Sequence, residues 1–302
     1  MQLGTKARTG ASAVCAAAVF AAMAACSTST GTTAAAVSDA QINTDLAAAA
    51  GIAASTQSGD FATQDAEAGA EGFIVGLRGG SAALGLGMKR ATVESACTTG
   101  SFSGTIVFPF ADPRDTISIS RTWEFFAVGV CENAYVAGTT DSIVFAATVS
   151  SELHGKRGFW QAHHDDQRSN WVTGSLALST ASTHVWNGFE AGVDTSSFSG
   201  DIPESRTYNA ASSDTVGSVT FPHPRDGAVY PSSGTYTRWV NAMATFSGPR
   251  TGSKQVARHI VVTFNGTEFV PIAIFDVGTG QVSLTCQLDL AIGEIVAGSC
   301  TD

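Results

Sequence analysis

The chain has 302 residues, 44% of them hydrophobic and 14% charged, which excludes wholesale disorder and leaves room for a sizeable buried core. Its formal charge of −10 argues against nucleic acid or an anionic lipid surface as a partner, since both need a positive field to offset their own charge. Acidity alone names no ligand.

The N-terminus places Lys6 and Arg8 ahead of an Ala-rich apolar stretch that runs from Ala11 to Ala25, broken only by Ser12, and reaches Cys26. A basic start, an apolar run too short for a stable transmembrane helix and small residues at its end are the three parts of a secretory signal. Met23-Ala24-Ala25-Cys26 resembles the lipobox of bacterial lipoproteins, although Met23 stands where Leu is usual. The resemblance implies that Cys26 receives a diacylglycerol thioether, that residues 1–25 are removed, and that the product is tethered to a membrane through its lipid. Ser27 after the cysteine resembles the pattern sent on to an outer membrane. Cleavage would remove Lys6 and Arg8 and no acid, leaving 14 basic against 26 acidic residues and a formal charge of −12.

Residues 26–37 read as a lipidated flexible tether of Ser, Thr, Gly and Ala, which have little to bury. Ser38-Asp39-Ala40-Gln41 has the spacing of a capping box, and Ile42, Leu46 and Ala50 follow at helical spacing, so a short helix is expected over roughly 39–55. The rest of 38–96 is rich in Gly and Ala and is expected to be irregular.

From Cys97 to the end, β-branched and aromatic runs are punctuated by Gly, Asp, Asn and Pro. Ile117, Ile119, Trp123 and Phe125 alternate with polar residues, as do Val282, Leu284, Cys286, Leu288 and Leu290, which is the period of a strand with one buried face. Asn265-Gly266 between Phe264 and Phe269 is a hairpin signal that expects positive φ at both residues. Further strands are expected near 104–110, 133–139, 142–150, 158–164, 170–179, 184–190, 205–210, 216–221 and 235–246. The fold class expected for 97–302 is mainly β, an antiparallel meander forming a sandwich or barrel. Phe108-Pro109 and Phe221-Pro222, each followed by Pro-Arg-Asp and later by an Arg and Trp pair, leave open two related subdomains meeting near residue 200.

Beyond Cys26 and the discarded Cys15, the chain holds Cys97, Cys131, Cys286 and Cys300. An even number in an exported chain points to two disulfides. A hairpin turning about Gly293 would set Leu290 against Val296, Leu288 against Gly298 and Cys286 against Cys300, which leaves Cys97 for Cys131. No C-x-x-C spacing supports a zinc site.

His163-His164-Asp165-Asp166 is the densest group of acid/base or ligand-type residues, but alternation on a strand would divide it, with His163 and Asp165 on one side. Its polar continuation makes a solvated hairpin tip between Trp160 and Trp171 the expectation, with no metal and no cofactor. Trp186, beside a turn, is the tryptophan proposed to touch a ligand, and His163 and Asp165 are the polar candidates beside it. The nucleophile elbow fails because Phe102 holds the central place of Gly100-Ser101-Phe102-Ser103-Gly104, and zinc-hydrolase and phosphate-loop motifs are absent. The function expected is a non-enzymatic binding or structural role in the cell envelope. The alternative is an envelope hydrolase with a site assembled from distant residues.

Overall fold

A computed structural model describes residues 38–69, 100–106, 116–132, 135–136, 138–154, 160–174, 177–199, 205–222 and 230–302, with backbone only at 56–69, 100–106, 117, 119, 121, 153, 160–171 and 199. The signal, the tether and Cys97 lie outside the described residues. A helix, α1 (Asp39–Gly69), precedes twelve strands: β1 (Gly100–Ile106), β2 (Thr116–Ala127), β3 (Val130–Glu132), β4 (Ser142–His154), β5 (Trp160–Gly174) and β6 (Thr183–Ser199). The series continues with β7 (Ser205–Pro222), β8 (Ser233–Ser247), β9 (Gly252–Thr263), β10 (Phe269–Asp276), β11 (Val282–Asp289) and β12 (Glu294–Ile295).

The strands form one antiparallel meander in the order β1-β2-β4-β5-β6-β7-β8-β9-β10-β11-β12, with β3 attached to β2. The mainly β, antiparallel meander expected from alternation is therefore present. It is not closed into a barrel: β1 and β12 end the order without pairing to each other. β6 and β7 pair from Ser199↔Ser205 to Thr183↔Pro222, with a register shift between Trp186 and Gly188.

Three elements differ from the sequence expectation. Helix α1 continues past the expected end near 55 to Gly69, because Ala, Gln and Glu over 61–68 are good helix formers that outweigh a cost of about 1 kcal/mol for a glycine such as Gly59. The segment holding His163 to Asp166 is no hairpin tip. It lies within β5, hydrogen-bonded to β4 on one side and β6 on the other. Similarly β7 is one strand where two were expected, since Ser212 and Asp214 in its middle are buried polar positions that a hydrophobic alternation does not reveal.

The Asn265-Gly266 turn joins β9 to β10 as expected, but by a different geometry. Only Gly266 has positive φ, 81°. Asn265 instead accepts hydrogen bonds from the backbone N–H (3.0 Å) and hydroxyl (2.8 Å) of Thr267, an Asx turn that fixes a wider loop.

The core lies on one face of the sheet. Trp123, Phe125, Ile143, Phe145, Trp186, Val219, Tyr236, Val262, Ile272 and Leu288 are buried there in neighbouring strands. Helix α1 packs against β6 and β8–β12 on this face. Its residues Ile42, Leu46, Ala47, Ala50, Ile52 and Ala54 are buried almost all round, a pattern typical of a helix enclosed by its neighbours rather than lying on a surface. Small side chains make the approach close: a Cβ on Gly51 would stand 2.6 Å from Leu288 Cδ1 and 3.3 Å from the Gly293 carbonyl.

Candidate functional site

Burying Arg, Asp and Glu costs several kcal/mol per ion unless each charge is matched and hydrogen-bonded. The helix-facing side of the sheet nevertheless carries Glu190, Asp194, Asp214, Arg206, Arg238 and Arg258. Alternation accounts for it: each occupies an inward position of a long strand, where its neighbours two residues away are apolar or small.

Arg238 on β8 is the hub of the first group. Its Nη1 donates to Asp214 (2.9 Å) and to the Tyr236 hydroxyl (3.2 Å), its Nη2 donates to Ser212 Oγ (2.9 Å), and it pairs with Asp194. The Tyr236 hydroxyl in turn donates to Asp214. Three adjacent strands, β6, β7 and β8, are thereby joined through one guanidinium, whose planar fork suits two carboxylates at once.

The second group ties α1 to the sheet. Asp45 accepts from Arg206 Nε (2.6 Å) and Nη2 (3.2 Å), from the Tyr208 hydroxyl (2.6 Å) and from Gln41 Nε2 (2.9 Å). Burial and the neighbouring Asp45 carboxylate push the Tyr208 phenol far above its ordinary range, so it stays a donor at any working pH. Half a turn away, Asn43 accepts from Arg258 Nε (2.7 Å), and Arg258 Nη1 reaches Asp276 (2.9 Å). The backbone N–H of Thr279, assisted by the Arg258 charge, holds the Asp276 carboxyl below its ordinary value. Lys254 pairs with Asp39 at the start of the helix, and Ser55 Oγ donates to the Leu290 carbonyl (2.6 Å) further along it.

The sequence candidates fall in different places. Trp186 is fully buried, its ring 5.4 Å from that of Phe145, so it is packed in the core. His163 sits in register with Glu152 and Thr195, both exposed, and Asp165 with Ser150 and Val193, also exposed. His164 sits opposite Ser151 and Asp194, both buried. Among the described residues no three His, Cys, Asp or Glu side chains are grouped closely enough to hold a metal ion.

Cys286 and Cys300 form a disulfide with Cα atoms 4.1 Å apart. The partnership is the expected one, reached by a different register. Leu288 opposes Ile295 rather than Gly298, and residues 296–299 form a turn held to Gln287 at both ends before pairing resumes at Thr285↔Thr301. Cys131 is also disulfide-bonded, and the expectation that Cys97 is its partner falls outside the described residues.

Sequence reasoning missed two features. One is the inward charge network, whose signal was present as Arg206, Tyr208, Ser212 and Asp214, and Tyr236 and Arg238, at positions of one parity interrupted only by Ala210. The other is a row on the opposite face, where Trp239 stacks on His259 (4.1 Å, 17° between planes) and His259 leans on Phe275 (5.5 Å, 34°) across β8, β9 and β10. Burial in this stack lowers the His259 pKa, because desolvation disfavours the charged ring. No protein-family model matches the chain, and no curated protein or solved structure does.

Proposed function

We propose that this chain is a membrane-tethered lipoprotein of the bacterial cell envelope, held by lipid on Cys26 and acting by binding or as a structural element rather than by catalysis. The observation that carries the reading is the mounting of helix α1. It begins at Asp39, immediately after the proposed tether, and is fastened to β7 through Asp45 and to β9 through Asn43 and Asp39. A lipid on Cys26 would thus connect through a short flexible segment to an element anchored in the sheet, and the sheet would be displayed at the membrane. Acyl chains contribute about 0.8 kcal/mol per buried CH₂, so several together hold a protein without a transmembrane helix. The Ser27 position favours an outer membrane as the address.

The test is incorporation of labelled palmitate and membrane partition of the full chain against its Cys26→Ala variant. Wild type is expected to take up label and sediment with membranes, and the variant to do neither. A variant that is processed and partitions normally would overturn the anchor. The non-enzymatic part is tested by screening esterase, peptidase and glycosidase substrates. Turnover that disappears on replacing His163, His164, Asp165 and Asp166 together by Ala would make the chain a hydrolase.

A further inference from the structure

We propose that the outward face of β6–β10 is a self-association surface on which a second copy of this chain docks, sheet against sheet. The outward positions are alternate residues of 189–197, 207–215, 235–245, 255–263 and 269–275, fixed by the register of these strands. None of them is Asp, Glu, Lys or Arg; they are Thr, Ser, Asn, Gln, Ala, His259 and Pro271 with a few large apolar side chains. This is the reverse of the usual division, in which surfaces are rich in interspersed charge. The charged side chains of the same strands point inward to the Arg238 and Asp45 groups.

Large apolar residues concentrate on this face. Phe189, Val193, Trp239, Met243 and Phe269 are all exposed there, Trp239 by 47% and Val193 by 58%. Scattered single apolar residues need no explanation, but a patch free of charge and studded with aromatics marks an interaction site.

Three arguments select a second copy as the occupant. The first is charge: the chain is at −10, so two copies repel unless they meet where neither carries charge, and this face meets that condition. The second is area. Five strands at about 4.8 Å spacing, whose outward ranges average about nine residues at about 3.4 Å each, give about 24 by 31 Å, or roughly 740 Å². A standard interface buries about 800 Å² on each partner. The third is shape. Trp239 stacks on His259 and His259 leans on Phe275, so the ring faces between them are taken and the rings stand side by side among Thr methyls. Such a surface interdigitates with another sheet at about 10 Å separation rather than offering a platform to a sugar ring. The contact is isologous, the same patch on both copies.

The test is sedimentation equilibrium of the full chain carrying Cys26→Ala, so that no acyl chain contributes. A dimer is expected. Trp239→Glu and Met243→Glu, each placing a carboxylate within the contact on both copies, should raise the dimer dissociation constant at least about tenfold while circular dichroism stays unchanged. Thr148→Glu, exposed on the outward side of β4, should leave the dimer intact. A wild-type monomer throughout the concentration range would overturn the proposal, as would a dimer insensitive to both face substitutions or equally sensitive to Thr148→Glu. Binding of a monomeric chain to phosphatidylcholine vesicles or to a neutral polysaccharide through Trp239 would assign the face to another occupant. These outcomes are independent of lipidation and of any hydrolytic turnover, so they stand apart from the tests of the tether.

Discussion

Asp45 shows how one residue decides whether α1 stays attached. It is 3% exposed and accepts four hydrogen bonds, three of them from Arg206 and Tyr208 on β7. Replacing it by Ala would leave the Arg206 charge and the Tyr208 hydroxyl facing each other with no acceptor between them. Removing one member of a buried pair is costly because the other remains desolvated, so Asp45→Ala is expected to lower stability by about 3 kcal/mol. Urea unfolding of the variant against wild type measures this, and a loss below about 1 kcal/mol would mean that water replaces the carboxylate. The sequence marks Asp45 only as a polar residue between Ile42 and Leu46. Its partners lie about 160 residues away on β7, a separation that no local pattern reports.

At the scale of elements, alternation made strands legible where the inward positions are apolar and hid them where they are charged. β2 and β11 read directly, since Trp123 and Phe125, or Leu284, Cys286 and Leu288, hold one face. β5 and β7 broke into pieces on reading because His163 to Arg168, and Ser212 to Asp214, look like turns until the opposing strands supply their backbone hydrogen bonds and, for Asp214, the Arg238 charge. The disulfide shows how a local rule and the structure can agree by different routes: hairpin arithmetic about Gly293 named Cys300, and a turn over 296–299 restores that partnership after a shifted register. Helix α1 carries a prediction of its own. Gly51→Ala gains about 1 kcal/mol of helix propensity, yet the new methyl meets the end of the fully buried Leu288 side chain in a close-packed core, and the Gly293 carbonyl beside it. Overpacking should win by about 1–2 kcal/mol, lowering the thermal midpoint; a rise would show that α1 shifts freely along the sheet.

For the whole molecule, the described residues divide into a long-laddered centre and a linked rim. β6, β7 and β8 are 15–18 residues long, paired on both sides and joined by the Arg238 group. The rim comprises α1, β11 and β12, where Ser55 holds the Leu290 carbonyl, Gly51 rests on Leu288, and the Cys286–Cys300 bond closes 14 residues of chain. Subglobal opening follows such contiguous units, which predicts that α1 and β11–β12 exchange their amide hydrogens together and before the centre does. Reduction of Cys286–Cys300 removes a constraint of about 3 kcal/mol for a loop of this size. Because α1 rests on the strand that this bond secures, the loss should reach the helix although no cysteine lies in it. Hydrogen exchange read by mass spectrometry is therefore expected to quicken by about a hundredfold over residues 39–55 and 282–302 on reduction, with β6–β8 unchanged. If only 282–302 quickened, α1 would be held by its polar bonds to β7 and β9 alone; if the centre quickened equally, the molecule would open as a single unit.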